Sequence, residues 1–179
     1  MRFFVGLHHP HVAEHFGSAF ISVNAIRGRK GPFPAQEWIM DSGAFSTIMK
    51  HGGYPHPVSE YAAQIRRWKG NGKLLAAVAQ DYMCETQMLA KTGLTVAEHQ
   101  RLTIERYDAL VAEDTGVYIM PVLQGYSPKE YREHVRMYGD RLKPGAWVGV
   151  GSVCKRNGNP FLIWRVLDAI IEERPDLLL

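Results

Sequence analysis

The sequence predicts an α/β fold on a parallel sheet, a (β/α)8 barrel of the TIM type that breaks off after the start of its seventh strand. Three observations predict it. Short apolar runs alternate with amphipathic, helix-like segments, the pattern of βα units. The runs are continuously apolar rather than alternating, as in parallel strands buried on both faces. Four of them end in short polar signatures, and in such a barrel the chemistry sits where strands end, at the C-terminal face.

The expected strands are, in order, Phe3–Leu7, Ala19–Val23, Glu37–Met40, Leu74–Ala79, Val117–Leu123, Ala146–Val150, and a seventh that begins at Leu177-Leu178-Leu179. Four helices are legible between them. Val58–Lys69 places Tyr61, Ile65 and Trp68 four and three residues apart, with Ser59 as a cap. Val96–Ala112 follows Thr95, with Glu98 at the capping-box spacing, and its apolar face takes in Leu102, Tyr107, Leu110 and Val111. Pro128–Tyr138 has Ser127 as N-cap, Pro at the first helical position and Gly139 to close it. Pro160–Glu173 repeats the pattern, with Asn159 as cap and Pro175 beyond its end. A closed barrel of this type needs eight strands. The expectation is therefore a single, incomplete barrel domain over residues 1–179.

A chain of 179 residues that is 46% hydrophobic can bury a real core, and 22% charged residues argue against disorder. The net charge of +3 permits an anionic partner without demanding one; the densest basic cluster is Arg27-Gly28-Arg29-Lys30. Cys84 and Cys154 make neither a disulfide framework nor a zinc pattern, and read as reduced thiols of a cytoplasmic protein. No signal peptide and no membrane-length apolar run is visible, so a soluble protein is expected.

The strand-end signatures carry the chemistry. Asp41-Ser42-Gly43 ends the third strand, where Asp41 reads as a general acid or base, or as the cap of a turn. Asp81 ends the fourth, with Glu85 four residues on; a carboxylate can accept two N–H groups from the edge of a guanine-like ring, or cap a short helix. Gln124-Gly125 ends the fifth, and an amide offers a donor and an acceptor to a ring carbonyl and its neighbouring N–H. Gly149 and Gly151 flank Val150 in the sixth, leaving room for a ligand or marking a bulge. Lys155 and Arg156 are suited to a phosphate or to an exposed loop. His8, His9 and His11 suggest a rival metal site, but such a site needs further ligands on later strands, which end instead in Gln124 and Gly151. Neither a metal nor a cofactor is expected. Two acids, an amide and a glycine-rich turn on one face suit a flat, polar ring.

Taken in order, Asp41-Ser42-Gly43-Ala44-Phe45, Asp81, Leu123-Gln124-Gly125 and Val148-Gly149-Val150-Gly151 resemble the tRNA-guanine transglycosylase superfamily. The fuller forms resemble its DpdA branch: Gly6-Leu7-His8-His9-Pro10, Gln80-Asp81-Tyr82-Met83-Cys84-Glu85, Pro121-Val122-Leu123-Gln124-Gly125-Tyr126, and Gly149 through Arg156. The resemblance implies replacement of guanine in DNA by a 7-deazapurine such as preQ0, with tRNA as the alternative substrate. An inactive barrel that binds a base or nucleic acid is the reading from another class. The resemblance gives Asp41 the ring proton and makes it the catalytic residue. It gives Asp81 and Gln124 the guanine edges, and makes Ser42, Gly43, Gly125, Gly149 and Gly151 substrate-binding. It implies DNA, a 7-deazaguanine base and proteins of a DNA-modification system as partners. The family's nucleophilic aspartate is expected on a last strand beyond Leu179, its zinc-binding cysteines have no match here, and Ser152 stands where the tRNA enzymes usually carry glutamate.

Overall fold

Five parallel strands follow one another across a sheet in chain order: β1 (Val5–Leu7), β2 (Ser18–Ser22), β3 (Glu37–Asp41), β4 (Lys73–Val78) and β5 (Tyr118–Met120). The computed structural model describes residues 2–156 and 158–179, and Lys155 by its backbone alone. The expected run Val117–Leu123 changes partner at Pro121, which has no N–H to give to a ladder. Before it, β5 pairs with β4, and the Met120 carbonyl accepts the Ala79 N–H at 3.0 Å. After it, β6 (Val122–Leu123) pairs in parallel with β7 (Gly149–Val150), and the Pro121 carbonyl accepts the Gly149 N–H at 2.9 Å. The run expected at Leu177–Leu179 forms only a parallel bridge, Leu178 to Trp147. The second strand also ends sooner than Val23. Ser22 accepts the Asn24 N–H and caps a short helix, α1 (Val23–Ile26).

The helices are α2 (Ala44–His51), α3 (Val58–Trp68), α4 (Thr86–Thr92), α5 (Val96–Ala112), α6 (Pro128–Tyr138) and α7 (Pro160–Glu173). The expected capping box of Thr95 with Glu98 forms, the Ser127 N-cap proves to be a second box with Glu130, and Gly139 closes α6 at φ +52°. Ser59 does not cap α3, whose N-cap is Pro57, and Asn159 caps α7 without a side-chain bond. Val111 lies exposed on α5; the helix buries His99, Gln100 and Thr103 beside Ile104 and Leu110. Those buried polar groups satisfy the loops beyond the strands. Thr103 Oγ1 accepts the Tyr82 N–H at 2.9 Å, and His99 Nδ1 lies 2.7 Å from the Met83 carbonyl.

The inner strands pack against apolar residues on both faces. Trp38, Met40 and Ala77 face a core with Tyr61, Ile65 and Trp68 of α3 and Leu110 of α5. Ile39, Ala76, Val78, Met120 and Val122 form a cluster on the other face, with Phe4, Phe20 and Trp147 packed against it. Leu123 and Val148 join a third, with α6 and α7. Because every strand runs the same way, the ends of β3, β4, β6 and β7 lie on one edge, where the polar signatures follow them.

Candidate functional site

Asp41 is the last residue of β3, partly buried, and its Oδ2 accepts the Gly43 N–H at 3.1 Å. The turn-capping reading of Asp41 is thus realised, and it leaves the carboxyl perturbed. Burial raises its pKa, and hydrogen bonds from Gly43, Ser22 and Ser42 pull it partly back. Gly43 has φ +70°, and a Cβ there would stand 2.3 Å from Asn24 Nδ2, so only glycine fits. Asn24 Nδ2 in turn donates to the Ser46 hydroxyl at 2.8 Å and to the Gly43 carbonyl at 3.3 Å.

Asp81 follows β4 and is 7% exposed. It caps no helix; Glu85 occupies the N-cap of α4. Its two carboxylate oxygens are divided between neighbours. Ser42 Oγ donates to Oδ1 at 3.3 Å and Gln124 Nε2 donates to Oδ2. Burial, with Asp41 as a nearby like charge, pushes its pKa up to about 7, against the pull of the Gln124 and Ser42 hydrogen bonds. Near neutral pH this group therefore exists in both protonation states. The Tyr54 hydroxyl donates to the Asp81 carbonyl at 2.9 Å, and the Arg106 guanidinium lies 4.3 Å from the Tyr54 ring centre.

Gln124, after β6, is fully buried and its four polar groups all have partners. Its Oε1 accepts the Ser152 hydroxyl at 2.7 Å, its Nε2 meets Asp81, and its carbonyl accepts Gln100 Nε2 at 2.7 Å. Its N–H donates to His134 Nδ1 at 2.7 Å. That bond fixes His134 as the Nε2–H tautomer, facing the Gln100 carbonyl at 3.2 Å; burial lowers its pKa to about 4.

The glycines shape this ground. A Cβ on Gly151 would stand 2.1 Å from Gln124 Nε2, and one on Gly125 3.0 Å from the Glu130 Cβ. The Gly151 N–H donates to the Leu123 carbonyl at 2.9 Å, and its own carbonyl accepts the Tyr131 hydroxyl at 2.6 Å. The Gly149 N–H serves the ladder with Pro121.

Asp41, Ser42, Asp81 and Gln124 thus come together from three strands, joined by hydrogen bonds or by charge. The sequence reading missed His134 and Gln100, which lie on helices; it named Glu85 beside Asp81 and Ser152 in the place of a glutamate, without assigning either to the site. His8, His9 and His11 stand exposed at the end of β1. Among the described residues no group of three or more His, Cys, Asp or Glu is placed to hold a metal ion. Arg156 lies 4.7 Å from the Tyr126 ring centre and donates to the Tyr126 and Ser152 carbonyls; the Lys155 side chain is outside the described residues. Cys84 and Cys154 are both free.

A family model described as DpdA, DeoxyPurine in DNA protein A, matches residues 1–179. The chain belongs to the DpdA family. The match takes in all four strand-end signatures. Membership in DpdA points to a DNA-modification role, deazapurine in DNA, within a transglycosylase-type enzyme family. A search of curated proteins finds no match. No helix among the described residues is long and apolar enough to cross a membrane.

Proposed function

We propose that this DpdA chain is the base-handling domain of a transglycosylase that replaces guanine in DNA with a 7-deazapurine such as preQ0. One observation carries the reading: Gln124 sets an N–H donor directly beside the Asp81 carboxylate, on the edge where Asp41 also ends its strand. A donor beside an acceptor matches a ring carbonyl beside a ring N–H. Asp81 takes the N–H side, Gln124 the carbonyl, and Ser42, Gly43, Gly125, Gly149 and Gly151 shape the surrounding walls. Asp41, whose pKa is raised by burial, gives a proton to the departing purine and takes one from the incoming base. The proton count therefore closes over one exchange. The displacement itself needs a carboxylate nucleophile at the sugar C1′, for which the resemblance names an aspartate on a final strand.

The scaffold in this proposal is a (β/α)8-type barrel, with residues 1–179 as one domain of it. Its support is the sequential order of parallel strands, together with a cluster on one face that draws residues from both sheets. DNA as substrate fits a cytoplasmic protein acting with other members of a DNA-modification system.

The test is transfer of labelled preQ0 into double-stranded DNA, with tRNA as a parallel substrate. Label in DNA that depends on Asp41 and Asp81 supports the reading. Label in tRNA alone would replace DNA by tRNA, and base binding without transfer would favour a binding module.

A further inference from the structure

Asp81, Gln124, Ser152 and Glu85 form one hydrogen-bonded chain across three strand ends. A primary amide carries its donor at one end and its acceptor at the other. In Gln124 the donor end meets Asp81 Oδ2 and the acceptor end takes the Ser152 hydroxyl at 2.7 Å. Turned over, the amide would set oxygen against the Asp81 carboxylate and leave the Ser152 proton facing an N–H. Gly151 leaves no slack, since even a methyl there would collide with Nε2.

The Ser152 hydroxyl has one proton and two acceptors in reach: Gln124 Oε1 at 2.7 Å and Glu85 Oε2 at 3.1 Å. Its oxygen also accepts the Cys84 N–H at 2.8 Å. The shorter contact goes to Gln124, and Glu85 is the competitor. Ser152 sits at φ +54°, a left-handed backbone that non-glycine residues keep only where their surroundings hold them there. All three partners contact this one side chain, which is 4% exposed.

We propose that Ser152 is a positioning residue that fixes which way the Gln124 amide faces, and so selects a purine edge bearing a carbonyl oxygen beside a ring N–H over one bearing an amino group. The choice of ligand rests on the base-exchange reading above; the orientation of the amide does not. With Nε2 held toward Asp81, an amino group at the same place on the ring meets N–H against N–H. Freed from Ser152, the amide can turn and accept that amino group, at the expense of its bond to Asp81.

Ser152→Gly removes the hydroxyl at a backbone conformation glycine adopts without strain. Two measurements follow on the folded protein. The first is the NMR titration of the Asp81 carboxyl carbon without ligand. Its midpoint, near 7 in the parent, should rise in Ser152→Gly as the Gln124 donor is lost. The second compares calorimetric affinities for guanine and 2,6-diaminopurine. The preference for guanine should narrow about tenfold in Ser152→Gly. Glu85→Gln weakens the competing acceptor and so leaves the Ser152 proton on Gln124; it should not narrow the preference for guanine. Should the glycine variant not fold, Ser152→Ala removes the same hydroxyl and keeps Cβ. An unmoved Asp81 midpoint in a folded Ser152 variant would overturn the positioning role, as would a Glu85→Gln variant that narrows the preference equally. If the parent binds neither base, the selection of a purine edge falls together with the base-exchange reading, while the titration still decides the positioning.

Discussion

At the end of β1, His8, His9 and His11 stand exposed, with the rings of His9 and His11 5.7 Å apart. At the ends of β3, β4 and β6, Asp41, Asp81 and Gln124 are drawn into a cluster that burial has made chemically unusual. Both regions offer functional residue types at parallel-strand ends, and both stand out in the sequence. The difference lies behind them. β1 is an edge strand followed by a 3-10 turn, and its histidines are exposed. β4 lies between β3 and β5; α5 brings Thr103 to the loop beyond β4, and α5 and α6 bring Gln100 and His134 to Gln124 beyond β6. A strand end supplies a place for chemistry; neighbouring helices that exclude water and complete the hydrogen bonds turn that place into a tuned site.

The largest effect should come from the least replaceable member of the buried cluster. Asp41→Asn keeps the shape and removes the transferable proton, and base exchange should fall about a hundred- to ten-thousandfold. Near-parent transfer by Asp41→Asn would reduce Asp41 to a turn cap, no more special than the β1 histidines. Next, Asp81→Asn turns one of the two carboxylate acceptors into an N–H donor, set against the N–H of the purine edge. Guanine or preQ0 affinity should drop about ten- to a hundredfold, for a buried mismatch of about 1–3 kcal/mol. Calorimetry on the folded variant measures it, and unchanged affinity would remove Asp81 from the ligand edge.

Stability against pH sharpens the contrast further. Asp81 has a folded pKa of about 7, above its unfolded value. Its contribution is fully present below about pH 4 and is lost as pH rises through 7, on the order of 4 kcal/mol at most. His134 has a folded pKa of about 4, below its unfolded value. Its contribution is fully present above about pH 6.5 and is lost as pH falls toward 4, on the order of 3 kcal/mol at most. The two oppose each other between about pH 4 and 6.5, so their joint contribution should be nearly flat there. Asp81→Asn should expose a rise in stability with pH, and His134→Gln a fall. Urea unfolding at several pH values reads both, and parallel curves for all three proteins would contradict the assigned burial effects. The smallest effect is expected at β1. Replacing His8, His9 and His11 together by Ala should change stability by about 0.5 kcal/mol or less, as for surface positions generally. A loss of several kcal/mol would erase the distinction between the two regions.

Much of this was legible in the chain itself. Apolar runs marked the strands, Thr95 with Glu98 and Ser127 with Pro128 marked two helix starts, and the polar residue ending each run named Asp41, Asp81 and Gln124. These features are local: side-chain period, capping geometry and the abrupt end of an apolar run are all written within a few residues. Other features depended on distant neighbours. Pro121 hides a change of partner, because a continuous apolar run does not say which strand lies on either side. Ser152, His134 and Gln100 join Gln124 from 28, 10 and 24 residues away, and no spacing rule links them. The protonation of Asp81 is likewise set by burial and by the nearness of Asp41, forty positions earlier in sequence. Residue types fix what a side chain can donate, accept or ionise. Only the packed fold decides which groups lose water together, and with that which hydrogen bonds and protons they hold.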